Sequence, residues 1–232
     1  MDASAAKHAL LDAALSEAAF EGWTDAMLRR AAERSGLPEG AGRLYCPEGP
    51  VELIRFWSDR MDADARAEIE ALDLSSMKVR ERVTEAVAIR LSQIGRHEEA
   101  ARRAQARLSL PDGLSTGAAI TWNAADTIWR AIGDTSTDGN FYSKRAVLSA
   151  VLGTTAPVWL NDALSGKPDG RAFLERRIGN VMQFERVKAR VRKVTDTLPD
   201  PAEVLGRLRY GGLREKSVPT RREKRRVRRR SL

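Results

Sequence analysis

Trp129-Arg-Ala-Ile-Gly-Asp-Thr-Ser-Thr-Asp-Gly-Asn-Phe-Tyr-Ser-Lys-Arg-Ala146 reads as a corner between two helices. Upstream of it, Trp122, Ala125, Ile128, Trp129 and Ile132 recur at the spacing of one helical face. Gly133 stands where a left-handed C-terminal stop belongs. Asp134, Thr135, Ser136, Thr137 and Asp138 then offer side-chain oxygens to the free amides that open the next helix. That helix starts near Asn140, with Tyr142, Lys144 and Arg145 in its first turns. The expectation is a helix hairpin held in one geometry.

The flanking sequence repeats the helical signature. Leu10, Leu11, Ala14, Leu15 and Ala18 share a face between Ala3 and Glu21. Thr24 is an N-cap for a second helix, with Trp23 and Leu28 placed as a hydrophobic staple. Pro50 opens a long helix, to about Asp73, whose Val51, Ile54, Trp57, Met61, Ala65, Ile69 and Leu72 form one stripe. Ser75 or Ser76 is the expected cap of the next helix, striped by Val79, Val83, Val87, Leu91 and Ile94. A short helix from His97 to Leu108, a long one from Tyr142 to about Asn161 and one from Arg171 to about Lys193 complete the set, and Pro157 should kink the long one or end its regular hydrogen bonding. No strand-like alternation or hairpin turn is present. The fold class is all-α.

Composition describes a soluble globular chain of 232 residues, 42% hydrophobic and 31% charged. No window approaches the ~18 apolar residues of a membrane-spanning helix. The N-terminal Met-Asp-Ala-Ser-Ala-Ala-Lys has neither a signal-peptide core nor an Arg-rich presequence, so a bacterial cytoplasm is the expected setting. The single Cys46 excludes an internal disulfide and fits a reducing compartment. Of the formal net charge of +8, residues Pro219 to Leu232 carry +7 (seven Arg and one Lys against one Glu), leaving +1 (8 − 7) for the rest. The basicity belongs to a tail.

Asp126-x-x-Trp129 followed by Gly133-Asp134-x-Ser136-Thr137-Asp138-x-Asn140-x-Tyr142-Ser143-Lys144-Arg145-Ala146 closely resembles the signature of the ubiquinone-biosynthesis accessory family called Coq-nine. Phe173-Leu-Glu-Arg-Arg-Ile178 looks like the family's next helix, and the resemblance covers roughly Lys7 to Val194. Gly139 and Arg130 depart from it where relatives often carry aromatic residues. The resemblance implies a TetR-like bundle of about nine helices with a short C-terminal amphipathic helix and a basic tail. The expected divisions are 1–48, a helix-turn-helix-type unit; 49–195, a lipid-binding helical domain; 196–213, a linker and membrane-binding helix; and 214–232, a disordered basic tail.

The N-terminal unit resembles a DNA reader whose site is lost. A recognition helix sets basic and amide side chains in the major groove. Here Leu37 to Tyr45 holds Pro38, Glu39, Gly40 and Gly42, with Arg43 as its one cation. A TetR-type regulator responding to a lipid is the alternative function, and this composition argues against specific DNA reading.

Catalytic signatures are missing. His8 and His97 lie in no metal-binding spacing, and no nucleophile elbow, phosphate loop or dinucleotide fingerprint occurs. The expectation is a non-enzyme without metal or cofactor. Five tryptophans on helical stripes describe either plain core or the walls of an apolar cavity. The resemblance implies the cavity, holding an isoprenoid or phospholipid, with Trp57, Met61, Trp122, Ile128, Val147 and Val151 as candidate lining.

By the same resemblance the chain binds a polyprenyl quinone precursor and presents it to demethoxyubiquinone hydroxylase, through Asp126, Trp129 and Arg130. Trp129 is otherwise buried core. After Asp200-Pro-Ala-Glu203, a capped helix start, Val204, Leu205 and Leu208 share a face that would lie on a membrane. The Arg221 to Arg230 run fits anionic lipid, nucleic acid, or a solvated tail. Peripheral attachment to a bacterial inner membrane is the expected location, and a homodimer is left open.

Overall fold

The Thr24 hydroxyl accepts a hydrogen bond from the Met27 amide at 3.1 Å, and helix α2 (Asp25–Arg34) begins there. Trp23 and Leu28 are both buried, closing the staple. In this computed structural model the described residues are 2–137 and 139–196, with side chains up to residue 183 apart from Met182. Asp138, the proposed membrane face of Val204, Leu205 and Leu208, and the basic tail lie outside the described residues.

Among the described residues the secondary structure is all helix. The remaining elements are α1 (Ala3–Glu21), α3 (Ala41–Tyr45), α4 (Pro50–Glu70), α5 (Val79–Ser92), α6 (Glu98–Leu108), α7 (Leu114–Ala131), α8 (Gly139–Asn161) and α9 (Pro168–Asp196). No described helix is long and apolar enough to cross a membrane. Residues 1–183 form one compact body, and a second unit starts at Phe184.

Two apolar cores fill the body. The first joins α1, α2, α4 and α6: Trp23 stacks on Trp57 with ring centres 5.8 Å apart, and its Nε1 donates to the Ala100 carbonyl at 2.9 Å. The second gathers Ile69, Val87, Ile128, Leu152, Trp159 and Leu174 from α4, α5, α7, α8 and α9. Each large side chain buried this way contributes on the order of 1.5–3 kcal/mol. Buried Asp162 pins the start of α9, its carboxylate accepting from the Leu164, Asp169 and Gly170 amides at 3.1, 2.8 and 3.1 Å. Gly170 is required there, because a Cβ would lie 3.0 Å from the Trp159 ring.

Two local expectations are corrected. α5 begins at Val79, not after Ser75 or Ser76. Ser75 is spent on a turn with Asp73, and the Lys78 amide donates to Glu81 at 2.8 Å to start the helix. α4 ends at Glu70, short of Asp73, and Leu72 beyond it is exposed. Pro157 lies inside α8, which runs to Asn161 as expected; it has no amide to donate, so the Gly153 carbonyl one turn back loses its helical partner.

Candidate functional site: an apolar cavity and a clasped corner

A cavity of about 630 Å³ opens among α4, α5, α6, α7 and α8. That is within the usual range for small-molecule sites. Ile54, Trp57 and Met61 form the α4 wall; Gly117, Ile120 and Ala124 the α7 wall; Leu152, Gly153 and Ala156 the α8 wall. The space exists because α6, α7 and α8 turn Ala and Gly toward one another, and small side chains cannot fill the gap between helix axes 8–10 Å or more apart.

One polar group interrupts this lining. Arg90, on α5, is 6% exposed; its Nε donates to Asp62, and one Nη donates to the Ser58 hydroxyl at 2.8 Å. Its other Nη meets the Met61 sulfur at 3.6 Å. Burial pushes the Asp62 carboxyl above its ordinary range, against the pull of Arg90.

Of the residues expected to line a cavity, Trp57 and Met61 do so. Trp122, Ile128, Val147 and Val151 are elsewhere. Ile128 and Val151 belong to the second core, and half-buried Trp122 faces Tyr142, ring centres 6.4 Å apart. Half-buried Val147 is likewise absent from the lining. For Ile128 the reason is its level along the helix: α7 gives the cavity Gly117, Ile120, Thr121 and Ala124, and Ile128 on the same face lies one turn past its end.

The corner between α7 and α8 is held by ions. Arg145 is 1% exposed. It donates to Asp126 at 2.5 Å, to Asp134 at 3.4 Å and to the Phe141 carbonyl at 3.2 Å, with its guanidinium 3.5 Å from the Phe141 ring centre. Lys144 reaches Asp134 at 2.6 Å and Ser136 at 2.7 Å, and Ser136 donates to Asp134 at 2.8 Å. Asp134 and Ser136, expected to cap amides, thus receive side-chain cations from the helix they precede. Burial alone would raise Asp134, but the hydrogen bonds from Lys144 and Ser136 and the adjacent cations hold it below the ordinary range.

Asp126 is therefore a brace, shared between Arg145 and Arg130 (2.8 Å). Trp129 is half-buried against the second core, donates to the Lys144 carbonyl at 3.2 Å and lies under the Lys144 ammonium. Arg130, next to it in α7, and Tyr142, early in α8, are exposed.

Two further regions bear on chemistry. Helix α3 is only five residues long, and the cations Arg29 and Arg43 near it share a cleft with Asp25, Glu33 and Glu39. That mixture suits a phosphate backbone poorly. Cys46 is fully buried, and burial, with Glu52 adding to it, pushes the thiol up to about 11. Among the described residues no group of three His, Cys, Asp or Glu is placed to hold a metal.

The clasped corner is where the chain meets known proteins. Residues 114–185, from α7 through the corner and α8 into α9, match the family model described as COQ9. The mitochondrial ubiquinone biosynthesis protein COQ9 of Homo sapiens is 27% identical over 198 residues, covering 83% of this chain and 62% of that protein. Its Drosophila melanogaster counterpart is 26% identical over 204 residues, covering 85% and 61%. This chain is similar to COQ9 proteins over most of its length. It spans about three fifths of the length of the curated COQ9 relatives it matches. The fold is TetR-like: a TetR transcriptional regulator from Nitrosomonas europaea ATCC 19718 superposes with TM-score 0.60 at 20% identity, covering 75% of this chain and 95% of that one. The residues that carry the COQ9 signature are the ones Arg145 and Lys144 tie together.

Proposed function

We propose that this chain is a non-catalytic, lipid-binding accessory factor of ubiquinone biosynthesis. It holds a polyprenyl quinone precursor in the cavity and presents it to demethoxyubiquinone hydroxylase. The observation that carries the lipid reading is the cavity itself, about 630 Å³ and predominantly apolar, in a chain similar to COQ9 proteins. A well-packed core has few voids larger than a water molecule, so an apolar space of this size between five helices supports a ligand site. Presentation would use the outer face of the clasped corner, where Arg130, Tyr142 and the half-buried rings of Trp122 and Trp129 lie together on α7 and the start of α8. Membrane contact would come from Val204, Leu205 and Leu208 and the basic tail.

Organic extraction of the purified protein followed by mass spectrometry tests the cavity. Wild type should carry a stoichiometric apolar lipid. Ile120→Trp, which puts an indole into the space, should lose most of it while melting within a few degrees of wild type. Equal lipid content in the two proteins would overturn the reading.

A further inference from the structure

A cavity built only to hold a hydrocarbon chain would have no use for a buried guanidinium, yet Arg90 is in its wall. An arginine keeps its charge at any ordinary pH, and taking that charge out of water costs several kcal/mol unless hydrogen bonds and a counter-charge offset it. The structure provides both on α4. Asp62, 6% exposed, accepts from Nε, and Ser58, 2% exposed, accepts from one Nη. Three groups on two helices, all nearly buried, make a rigid polar patch inside apolar walls.

The patch is not saturated. A guanidinium has five N–H donors in a fixed fork. Nε is spent on Asp62, and one Nη on the Ser58 hydroxyl and, at 3.4 Å, the Ser58 carbonyl. The other Nη has two N–H groups, and its neighbour within hydrogen-bond reach is the Met61 thioether, a weak acceptor. Arg90, Ser58 and Met61 all line the cavity.

We propose that Arg90, braced by Ser58 and Asp62, anchors the head group of the bound molecule by donating from the Nη beside the Met61 thioether to an uncharged oxygen. A ring carbonyl or an ether oxygen at the end of an apolar chain fits this role. The inference rests on the cavity reading above and adds the chemistry of one end of the ligand. An anionic head group suits the site less well. The Asp62 carboxylate already balances the guanidinium, and Asp59 lies close enough to be acted on by the Arg90 charge. A carboxylate or phosphate entering there would bring an unmatched negative charge into a medium that penalises it. A neutral acceptor gains one charge-assisted hydrogen bond and adds no charge.

Equilibrium dialysis from a cyclodextrin carrier, quantified by mass spectrometry, compares three probes on the full chain. They are a para-benzoquinone bearing a four-isoprene tail, the saturated hydrocarbon phytane, and a C20 carboxylate. Wild type should take the quinone about tenfold more tightly than phytane, the worth of one net hydrogen bond to a charged donor, and the carboxylate more weakly than the quinone. Arg90→Met/Asp62→Leu removes both charges together and leaves no unpaired buried ion; it should keep phytane binding and reduce the quinone preference to about unity. Arg90→Lys, which keeps the ion pair should the double variant fold poorly, spends its ammonium on Asp62 and Ser58 and should also lose most of the preference. Quinone and phytane bound equally by wild type, a preference that survives in either variant, or a carboxylate bound more tightly than the quinone would each overturn the anchor and leave the cavity reading standing. No binding of any probe to lipid-free wild type would overturn both.

Discussion

Arg145→Met is the sharpest test of the clasped corner. The substitution keeps most of the side-chain volume and removes the charge and all of its donors. Arg145 supplies bonds to Asp126, Asp134 and the Phe141 carbonyl from a position 1% exposed. Breaking a buried pair by deleting one partner costs about 3–5 kcal/mol. The lower end applies here, because Lys144 still reaches Asp134 and Arg130 still reaches Asp126. About 3 kcal/mol in a body of this size lowers Tm by roughly 6–12 °C. Arg130→Ala is the control: its side chain is 59% exposed and shares the same Asp126, and a surface ion pair is worth about 0–1 kcal/mol. Melting curves by circular dichroism at neutral pH and moderate salt compare the two. If Arg145→Met melts within 2 °C of Arg130→Ala, the signature residues do not work as a structural clasp.

The same geometry sets the remaining expectations. Asp134 is held below the ordinary carboxylate range, so its contribution to stability is present above the unfolded-state value near pH 4 and is lost as pH falls through the lowered folded value; Asp134→Asn should flatten the acid limb of the Tm–pH curve, and an unchanged limb would contradict the pairing. Cys46, fully buried with its thiol pushed up to about 11, should resist a thiol-specific disulfide reagent at pH 8 until the protein is unfolded, and rapid labelling of native protein would place it at the surface. Arg130→Glu should abolish hydroxylase capture in a pull-down while leaving Tm and bound lipid within error, whereas capture by the variant equal to wild type would move the docking face elsewhere. Asp126→Lys is unsuitable for that experiment, since it would also unclasp Arg145.

Element positions were legible because each rests on a local device. Thr24 and the Trp23–Leu28 pair mark the start of α2, Gly36 its end, Pro50 the start of α4, and Gly133 the end of α7. The corner was legible as a corner, but its bonding was not. Asp134 and Ser136 have the sequence of capping residues, and whether such an oxygen meets an amide or a cation depends on which way the next helix leaves. The choice went to Lys144 and Arg145 because they fall on the turn of α8 that faces back over the loop.

The cavity was harder to read, and the reason is physical. Large apolar residues announce themselves by periodicity, so sequence reasoning placed Ile128 and Val151 at the site, and both turned out to be core. A cavity is made by what is missing, and Gly117, Ala124, Gly153 and Ala156 carry no such signal singly. A readable sign did exist in the charges. On α5, Arg90 interrupts a stripe of Val83, Val87, Leu91 and Ile94. On α4, Ser58 and Asp62 interrupt a stripe of Ile54, Trp57, Met61, Ala65 and Ile69. Either ion alone on a buried face would be too costly to keep. Two helices adjacent in the chain, each carrying one ion of opposite sign on its apolar face, can hold them only by bringing them together, and that requirement puts a polar anchor in the wall those helices share.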